Sequence, residues 1–248
     1  MEERKTIYLC LAHMSDEGWE QKYVKEAFDT NWVVPMGPNV NVFEQNLADF
    51  ANACSDGSKL DRKVVCLSAG TAAVHLALIA CGVQSGDEVC VQSFTFCASS
   101  HPITYLGAKP VFIDSERETW NMDPEILEKA ILDRKEKTGK YPKAIIPVAL
   151  YGMPYDCEKI MAVANKYNIP VIEDTAEGMG SRFDGQVLGT FGRFGVLSFN
   201  GNKMITTSGG GALICRNDED ANNIMWHATQ ARDAYPYYQH TEIGYKYR

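Results

Sequence analysis

The stretch VVCLSAGTAAVHLAL, residues 64–78, decides the fold because it joins a β-branched run to a helical run through one glycine turn. Its first part, VVCL at 64–67, is apolar at successive positions, as expected of a strand that is covered on both faces. The run that follows Gly70 has the composition of a buried helix. A strand followed at once by a helix is the repeating unit of parallel sheets in α/β proteins.

The same alternation continues along the chain. Further strands are predicted at 88–92, 110–114, 144–150, 170–174, 196–199 and 211–216. The clearest helix begins at Asp123-Pro124, where an N-cap residue precedes a proline in the first turn. Two more helices are predicted before residue 60, at about 19–29 and 39–53. The predicted fold class is therefore α/β, a three-layer α/β/α sandwich with a mostly parallel sheet.

Composition restricts the partners and the compartment. The 248 residues are 45% apolar and 23% charged, as in ordinary soluble proteins, and the net charge of −8 argues against binding to nucleic acid or an acidic membrane. The eight cysteines form no Cys-x-x-Cys pair and the five histidines lack metal-ligand spacing, so no metal site is expected. The N-terminus lacks the long apolar core of a signal peptide, and no run is long enough to span a membrane. We therefore expect a cytoplasmic protein.

A lysine and an acid carry the strongest chemical signal. Lys203 lies in the Ser/Gly-rich run SFNGNKMITTSGGG (198–211), and Asp174 ends the strand run PVIED (170–174). A pyridoxal phosphate site requires a lysine that binds the cofactor aldehyde and an acid that pairs with the pyridinium nitrogen. The alternatives are a surface lysine on a loop and an N-cap aspartate for the turn that follows Asp174.

Two further features are suited to the phosphate of such a cofactor. The helix start at Gly70, Thr71 and Ala72 offers backbone N–H groups to an anion, although a plain glycine turn before a buried helix has the same sequence. The Ser198 hydroxyl, five residues before Lys203, is a possible further donor. The triple glycine at 209–211 indicates close backbone packing near the site.

The ring of the cofactor needs a flat partner and polar neighbours. Phe96 follows the strand at 88–92 and is placed to stack on a pyridine ring, with a role in the core as the alternative. Glu177 lies three residues after Asp174 and faces either the same cleft or solvent. The glycine pattern at 189–195 is not a dinucleotide fingerprint, because no strand–helix unit with a ribose-binding acid surrounds it.

Together these strings resemble the DegT/DnrJ/EryC1/StrS family of sugar aminotransferases, which are pyridoxal phosphate enzymes of fold type I. The matching stretches are NWVVPMGPNV, LSAGTAAVHLAL, QSFTFCASS, KPVFIDS, NMDPEIL, IIPVALYGMP, IPVIEDTAEGMGS, GTFGRFGVLSFNGNKMITTSGGG and EIGYKYR. Within the family, the chain is most similar to enzymes that aminate the 4-keto group of nucleotide-linked deoxysugars.

The resemblance implies a role for each candidate residue. Lys203 takes the position that binds the cofactor aldehyde, Asp174 that of the pyridinium partner and Phe96 that of the stacking ring. The phosphate positions fall on Gly70, Thr71, Ala72 and Ser198. Glu177 takes a polar position beside the cofactor hydroxyl or the substrate. The family's asparagine in GYNYR, which reaches the phosphate of the neighbouring subunit's cofactor, is replaced by Lys246, which can meet a phosphate only as a point charge.

The implied activity is a two-stage, ping-pong transamination from glutamate to a keto group, at C4, of a nucleotide-linked deoxysugar, for glycan or polysaccharide biosynthesis. Family members are usually homodimers. Residues 1–248 are interpreted as the cofactor-binding large domain, with an N-terminal helical segment at about 1–60 and the small C-terminal domain absent or truncated.

Three alternatives remain open. A truncated, cofactor-binding but non-catalytic partner of a full-length paralogue is one. A sugar dehydratase of the same family is disfavoured by Lys203, because those relatives carry histidine there. An ordinary amino-acid aminotransferase is disfavoured by the SFNGNK string.

Overall fold

The computed structural model describes residues 13–248, so the predictions made on residues 1–12, including Cys10, lie outside the described residues. The helices and strands are α1 (Trp19–Asp29), α2 (Pro38–Asn52), β1 (Lys63–Leu67), α3 (Gly70–Ala80), β2 (Glu88–Gln92), α4 (His101–Tyr105), β3 (Lys109–Ile113), α5 (Pro124–Thr138), β4 (Ala144–Ile146), α6 (Cys157–Lys166), β5 (Ile172–Asp174), β6 (Arg182–Phe183), β7 (Gln186–Val187), β8 (Phe194–Ser198), β9 (Gly211–Cys215) and α7 (Asp218–Ala228). Short 3₁₀ turns lie at Cys97–Ser99 and Leu150–Gly152. No helix within 13–248 is long and apolar enough to cross a bilayer.

The central sheet is mostly parallel, as predicted. A four-stranded part has the order β1-β9-β8-β5, and a three-stranded part has the order β3-β2-β4. Two parallel bridges, Ile145 with Val171 and Val148 with Asp174, join β4 to β5 and make the two parts continuous. Strand β9 is antiparallel to both of its neighbours, whereas the remaining pairings are parallel. The carboxyl ends of the parallel strands therefore meet at one edge.

Helices cover both faces of the sheet, which confirms the three-layer prediction. Along β1, Val65 and Leu67 point into a core that also contains buried residues of α3 and α7. The alternate residues Val64 and Cys66 belong to a second core under α2, and α5 and α6 pack on the same face of the neighbouring strands. The alternation follows from the two-residue period of a strand.

Helix α5 shows how local sequence sets an element. The Asp123 carboxylate accepts hydrogen bonds from the N–H groups of Glu125 and Ile126, at 2.8 and 3.1 Å. Leu127 and Ile131, four residues apart and so on one face of the helix, are fully buried. The helix ends at Gly139, whose φ of 74° is the left-handed conformation that glycine adopts without strain.

Two strands are shorter than their apolar runs. Strand β4 ends at Ile146 because Pro147 has no N–H to donate to a ladder. Strand β5 begins at Ile172, two residues after Pro170. The polypeptide nevertheless stays in the plane of the sheet up to Val148 and Asp174, which form the last bridge between the two strands. This bridge places the end of β5 beside the loop that follows β4.

The C-terminal residues 244–248 dock against helix α3. The Nδ1 atom of His75 lies 3.1 Å from the Tyr247 hydroxyl, and the His75 ring meets the rings of Tyr105, Tyr245 and Tyr247 edge-on. The Tyr247 carbonyl accepts a hydrogen bond of 2.7 Å from the Ser68 N–H. The segment is thereby tied to the turn between β1 and α3.

This contact predicts a pH dependence of stability. Burial lowers the pKa of the His75 imidazole below its usual range, so the unfolded chain takes up this proton more readily than the folded chain. The stabilising contribution is therefore complete above the unfolded pKa of about 6.5 and is lost as the pH falls below it. Urea unfolding between pH 8 and pH 5 should show a larger loss of midpoint in the parent than in His75→Phe. Equal losses in both proteins would contradict this assignment.

Candidate active site

A cavity of 610 Å³ opens at the carboxyl edge of the sheet, between the ends of β1, β2, β5 and β8. The predicted site residues that line it are Gly70, Thr71, Phe96, Asp174, Glu177, Ser198 and Lys203. Ala72 lies buried in the first turn of α3, behind the cavity wall. Lys246 is exposed, forms a backbone bridge with Thr229 and does not line this cavity.

Asp174 lies at the base of the cavity and is 6% exposed. Its Oδ2 atom accepts a hydrogen bond of 2.5 Å from the Ser99 hydroxyl, and its Oδ1 atom accepts one of 3.2 Å from the Ala176 N–H. Burial raises the pKa of the Asp174 carboxyl, against the opposing effects of these hydrogen bonds and of the Lys203 charge. The Ala176 contact caps the turn that follows the strand, so Asp174 also has the turn-capping role offered as the alternative, although no helix within 13–248 starts there. A cationic ligand here would favour the ionised carboxylate.

Ser99 holds the carboxylate in place, which predicts a loss on its removal. In Ser99→Ala, the Asp174 oxygen loses a buried donor, and we expect affinity for pyridoxal phosphate to fall by about tenfold. The neighbouring Ser100 donates to the Cys97 carbonyl at 3.2 Å and does not line the cavity, so Ser100→Ala is the matched control. Fluorescence titration of both variants measures the dissociation constant. Equal affinities for pyridoxal phosphate in Ser99→Ala and Ser100→Ala would contradict the role of Ser99 in holding Asp174.

Lys203 points into the cavity rather than into solvent. Its side chain is 14% exposed, and its Nζ atom lies 3.5 Å from Glu177 Oε1. Its backbone N–H donates to the Asn200 carbonyl at 3.0 Å, which closes a turn over Gly201 and Asn202. The interpretation of Lys203 as an ordinary surface lysine is therefore wrong.

The start of α3 lies at the cavity and has no side-chain cap. The N-cap residue is Ala69, which has no side-chain oxygen, so no side chain caps the helix. Gly70 and Thr71 of this first turn line the cavity beside Ser198, whose Cβ lies only 3.0 Å from where a Cβ on Gly70 would stand. Gly211 is required as well, because a Cβ there would lie 2.4 Å from the Ala69 carbonyl carbon. The close packing predicted from the triple glycine is thus present.

Phe96 is 71% exposed and forms a wall of the cavity, so its interpretation as a core residue is wrong. The side chain follows β2 and is flanked by Thr95, whose hydroxyl lies 2.8 Å from the Ser99 hydroxyl. A large aromatic ring left open to a cavity above a buried acid is suited to stacking on a flat heteroaromatic ligand.

Glu177 faces the cleft and makes two contacts there. Besides its contact with Lys203, its Oε2 atom accepts a hydrogen bond of 2.7 Å from the Tyr151 N–H. Sequence reasoning missed Tyr151 and Ser99. The YG pair after the strand at 144–150 hinted at a turn, but the Ser99–Asp174 contact joins residues 75 positions apart and has no local signal.

These residues fit pyridoxal 5′-phosphate. A buried carboxyl whose pKa burial raises gains from a pyridinium, and an uncapped helix start gains from a phosphate. The exposed ring of Phe96 and the amine of Lys203 lie in the same cavity. By contrast, Gln92 and Ser93 follow or end β2 at the same edge but do not line the cavity, because Gln92 is buried and Ser93 is exposed elsewhere.

Comparison with known proteins agrees with this geometry. Residues 15–248 match the model of the DegT/DnrJ/EryC1/StrS aminotransferase family. The chain is 48% identical to EpsN of Bacillus subtilis over 244 residues, 98% of this chain and 60% of EpsN. It is 37% identical to GDP-perosamine synthase of Escherichia coli O157:H7 over 241 residues, 97% of this chain and 62% of that protein. The aminotransferase TlmJ from Streptoalloteichus hindustanus superposes with a TM-score of 0.83 at 28% identity, over 98% of this chain and 62% of TlmJ.

Each of these relatives is longer than the chain, which spans 60% to 62% of their lengths.

Proposed function

The chain belongs to the DegT/DnrJ/EryC1/StrS aminotransferase family, and from this premise we propose that the whole protein is a sugar aminotransferase. It transfers an amino group from glutamate to the keto group, at C4, of a nucleotide-linked deoxysugar, with pyridoxal 5′-phosphate as cofactor. Its role is in cytoplasmic steps of glycan or polysaccharide biosynthesis. The name of one relative, GDP-perosamine synthase, supports a nucleotide-linked sugar as the second substrate.

The observation that carries this proposal is the pairing of Asp174 and Lys203 in one cavity. Asp174 is buried with a raised pKa, and the Lys203 amine lies in the same cleft beside Glu177. Strands β5 and β8 are neighbours, and the buried acid ends β5 while the largely buried lysine lies in the loop after β8. The cofactor needs such an acid and lysine at the carboxyl ends of strands.

Each residue then has a defined task. When bound, the cofactor supplies an electron sink that stabilises negative charge at the donor's α-carbon. Asp174 would keep the pyridine nitrogen protonated, and the Lys203 amine would be the base that takes the proton from the donor's α-carbon. The first turn of α3 and Ser198 would hold the phosphate, and Phe96 would stack on the ring and fix its orientation in the cavity.

A homodimer completes the proposal. Lys246 lies outside its own chain's cavity, exposed next to the docked residues Tyr245 and Tyr247. This position suits contact with the phosphate of a second copy. Sedimentation of the purified chain, with and without pyridoxal phosphate, tests the dimer, and a monomer in both conditions would exclude this role of Lys246.

The visible spectrum of the chain with added pyridoxal phosphate tests the cofactor assignment, since covalent attachment to a lysine gives a band that borohydride reduces. Glutamate should bleach this band, and a set of 3-keto and 4-keto nucleotide sugars should restore it. A band without bleaching would instead favour the alternative of a cofactor-binding, non-catalytic chain. Absence of the band would refute the proposed cofactor site.

A further inference from the structure

Tyr151 has a backbone conformation that a bulky residue rarely adopts. Its φ and ψ angles are 51° and 26°, in the left-handed region, and its side chain is 64% exposed in the wall of the active-site cavity. Such outliers persist only where the surrounding contacts enforce them, and they concentrate at functional sites. The position therefore calls for a physical cause and a use.

Hydrogen bonds on both sides enforce the conformation. The Tyr151 N–H donates to Glu177 Oε2 at 2.7 Å, and the next carbonyl, of Gly152, accepts from the Ser181 hydroxyl at 2.6 Å. The Asn121 side chain spans the turn, because its Oδ1 accepts from the Leu150 N–H and its Nδ2 donates to the Met153 carbonyl, both at 3.0 Å.

A second amide fixes Asn121 from below. Gln92 and Asn121 are both fully buried. Gln92 Nε2 donates to Asn121 Oδ1 at 3.3 Å, and Gln92 Oε1 accepts from the Val148 N–H at 3.3 Å and from the Met122 N–H at 2.8 Å. The turn that carries Tyr151 is thus anchored to the ends of β2 and β4, and it presents an aromatic side chain to the cavity from a rigid base.

The neighbourhood of Tyr151 distinguishes the two substrates. Glu177 accepts the Tyr151 N–H with one oxygen and contacts Lys203 with the other, which places Tyr151 beside the reacting amine. Lys203 is the one basic residue among the described residues that line the cavity, whereas Asp174 and Glu177 are both acidic. On this acidic wall, the ring and hydroxyl of Tyr151 offer packing to the apolar face of a sugar ring, whereas glutamate has no such face.

We infer that Tyr151 contacts the keto sugar and helps to select it, an assignment that rests on the proposed function. The strained turn holds the Tyr151 ring where the sugar, rather than the amino donor, meets the cavity wall. Loss of the ring should therefore weaken the acceptor step more than the donor step.

Two substitutions and a control test this inference in the cofactor-loaded chain. Tyr151→Gly accepts the left-handed backbone and removes the ring, whereas Tyr151→Phe keeps the ring and removes the hydroxyl. Asn168→Gly is the matched backbone control, since Asn168 has a φ of 52° at the opposite end of β5, outside the cavity. The readouts are the thermal midpoint, bleaching by glutamate, and calorimetric binding of GDP-mannose and UDP-N-acetylglucosamine as acceptor probes.

In Tyr151→Gly, probe affinity should fall at least about tenfold more than the rate of bleaching by glutamate. Its thermal midpoint should match that of Asn168→Gly, which separates binding from folding, and Tyr151→Phe should keep most of the affinity. Parallel losses in both steps, or unchanged probe binding, would overturn the inference, as would a parent chain that binds neither probe. Failure of the proposed function is recognised separately, because the parent would then not bleach with glutamate.

Discussion

Lys203→Ala is expected to lose the borohydride-reducible band and at least about 10³-fold of the glutamate half-reaction, because both the covalent attachment and the proton transfer depend on its amine. Lys203→Arg should fail equally, since a guanidinium stays protonated and cannot act as a nucleophile. Lys129→Ala, an exposed lysine on α5, is the control and should behave as the parent. The measurement is stopped-flow absorbance of the loaded protein with glutamate.

The comparison between the two Lys203 variants separates charge from chemistry. Lys203 also neutralises part of the acidic wall through its contact with Glu177. If Lys203→Arg retained the band or the half-reaction, the lysine would serve only as a counter-charge, and the cofactor would be attached elsewhere. A borohydride-reducible band in Lys203→Ala would likewise show that the cofactor is attached to another residue.

Asp174→Asn has the second largest expected effect. The amide cannot keep the pyridine nitrogen protonated, so the glutamate half-reaction should slow by about 10²–10⁴-fold. The cofactor-free chain should meanwhile become more stable at neutral pH, because the variant no longer buries an ionised carboxyl. Stopped-flow kinetics and urea unfolding of the same preparation measure the two effects.

The pH dependence of Asp174 has a definite sign. Burial raises the pKa of its carboxyl above the ordinary value of 3.8, so the folded chain holds this proton more tightly than the unfolded chain. The parent therefore loses stability relative to Asp174→Asn as the pH rises from about 4 through the folded pKa. If the difference in unfolding free energy between the parent and Asp174→Asn did not change with pH, the assignment of a raised pKa to the buried Asp174 carboxyl would be contradicted.

Glu173→Gln is the matched control for a buried acid on the same strand. Glu173 is fully buried on the opposite face of β5, where its oxygens accept from the N–H groups of Gly189 and Gly192 at 2.9 and 2.6 Å. In Glu173→Gln, the side-chain NH₂ would face one of these N–H groups, which would then have no acceptor. This variant should therefore have a lower free energy of unfolding than the parent. Its cofactor band should remain, in contrast to the altered chemistry of Asp174→Asn.

Much of the fold could be predicted because its signals are local. The strand–glycine–helix run at 64–78, the Asp123-Pro124 helix start and the apolar runs of the sheet each depend on neighbours along the chain. The predicted helices at about 19–29 and 39–53 correspond to α1 and α2. Strand β4 ends earlier and strand β5 begins later than the ranges predicted at 144–150 and 170–174, because Pro147 and Pro170 interrupt the apolar runs.

The sequence by itself determined the three-layer architecture and identified Lys203, Asp174 and Phe96 as candidate site residues. It could do so because strand periodicity, turn residues and sequence motifs are properties of short segments. Only the tertiary structure decided that Ser99 donates to Asp174, that a buried pair of amides supports Tyr151, and that Lys246 lies outside its own cavity. The two side-chain hydrogen bonds among these contacts join residues far apart in the chain: Gln92 and Asn121 are 29 positions apart, and Ser99 and Asp174 are 75 positions apart. The physical reason is that the strand order brings distant loops together at one edge of the sheet, and no local interaction along the chain encodes which side chains then meet.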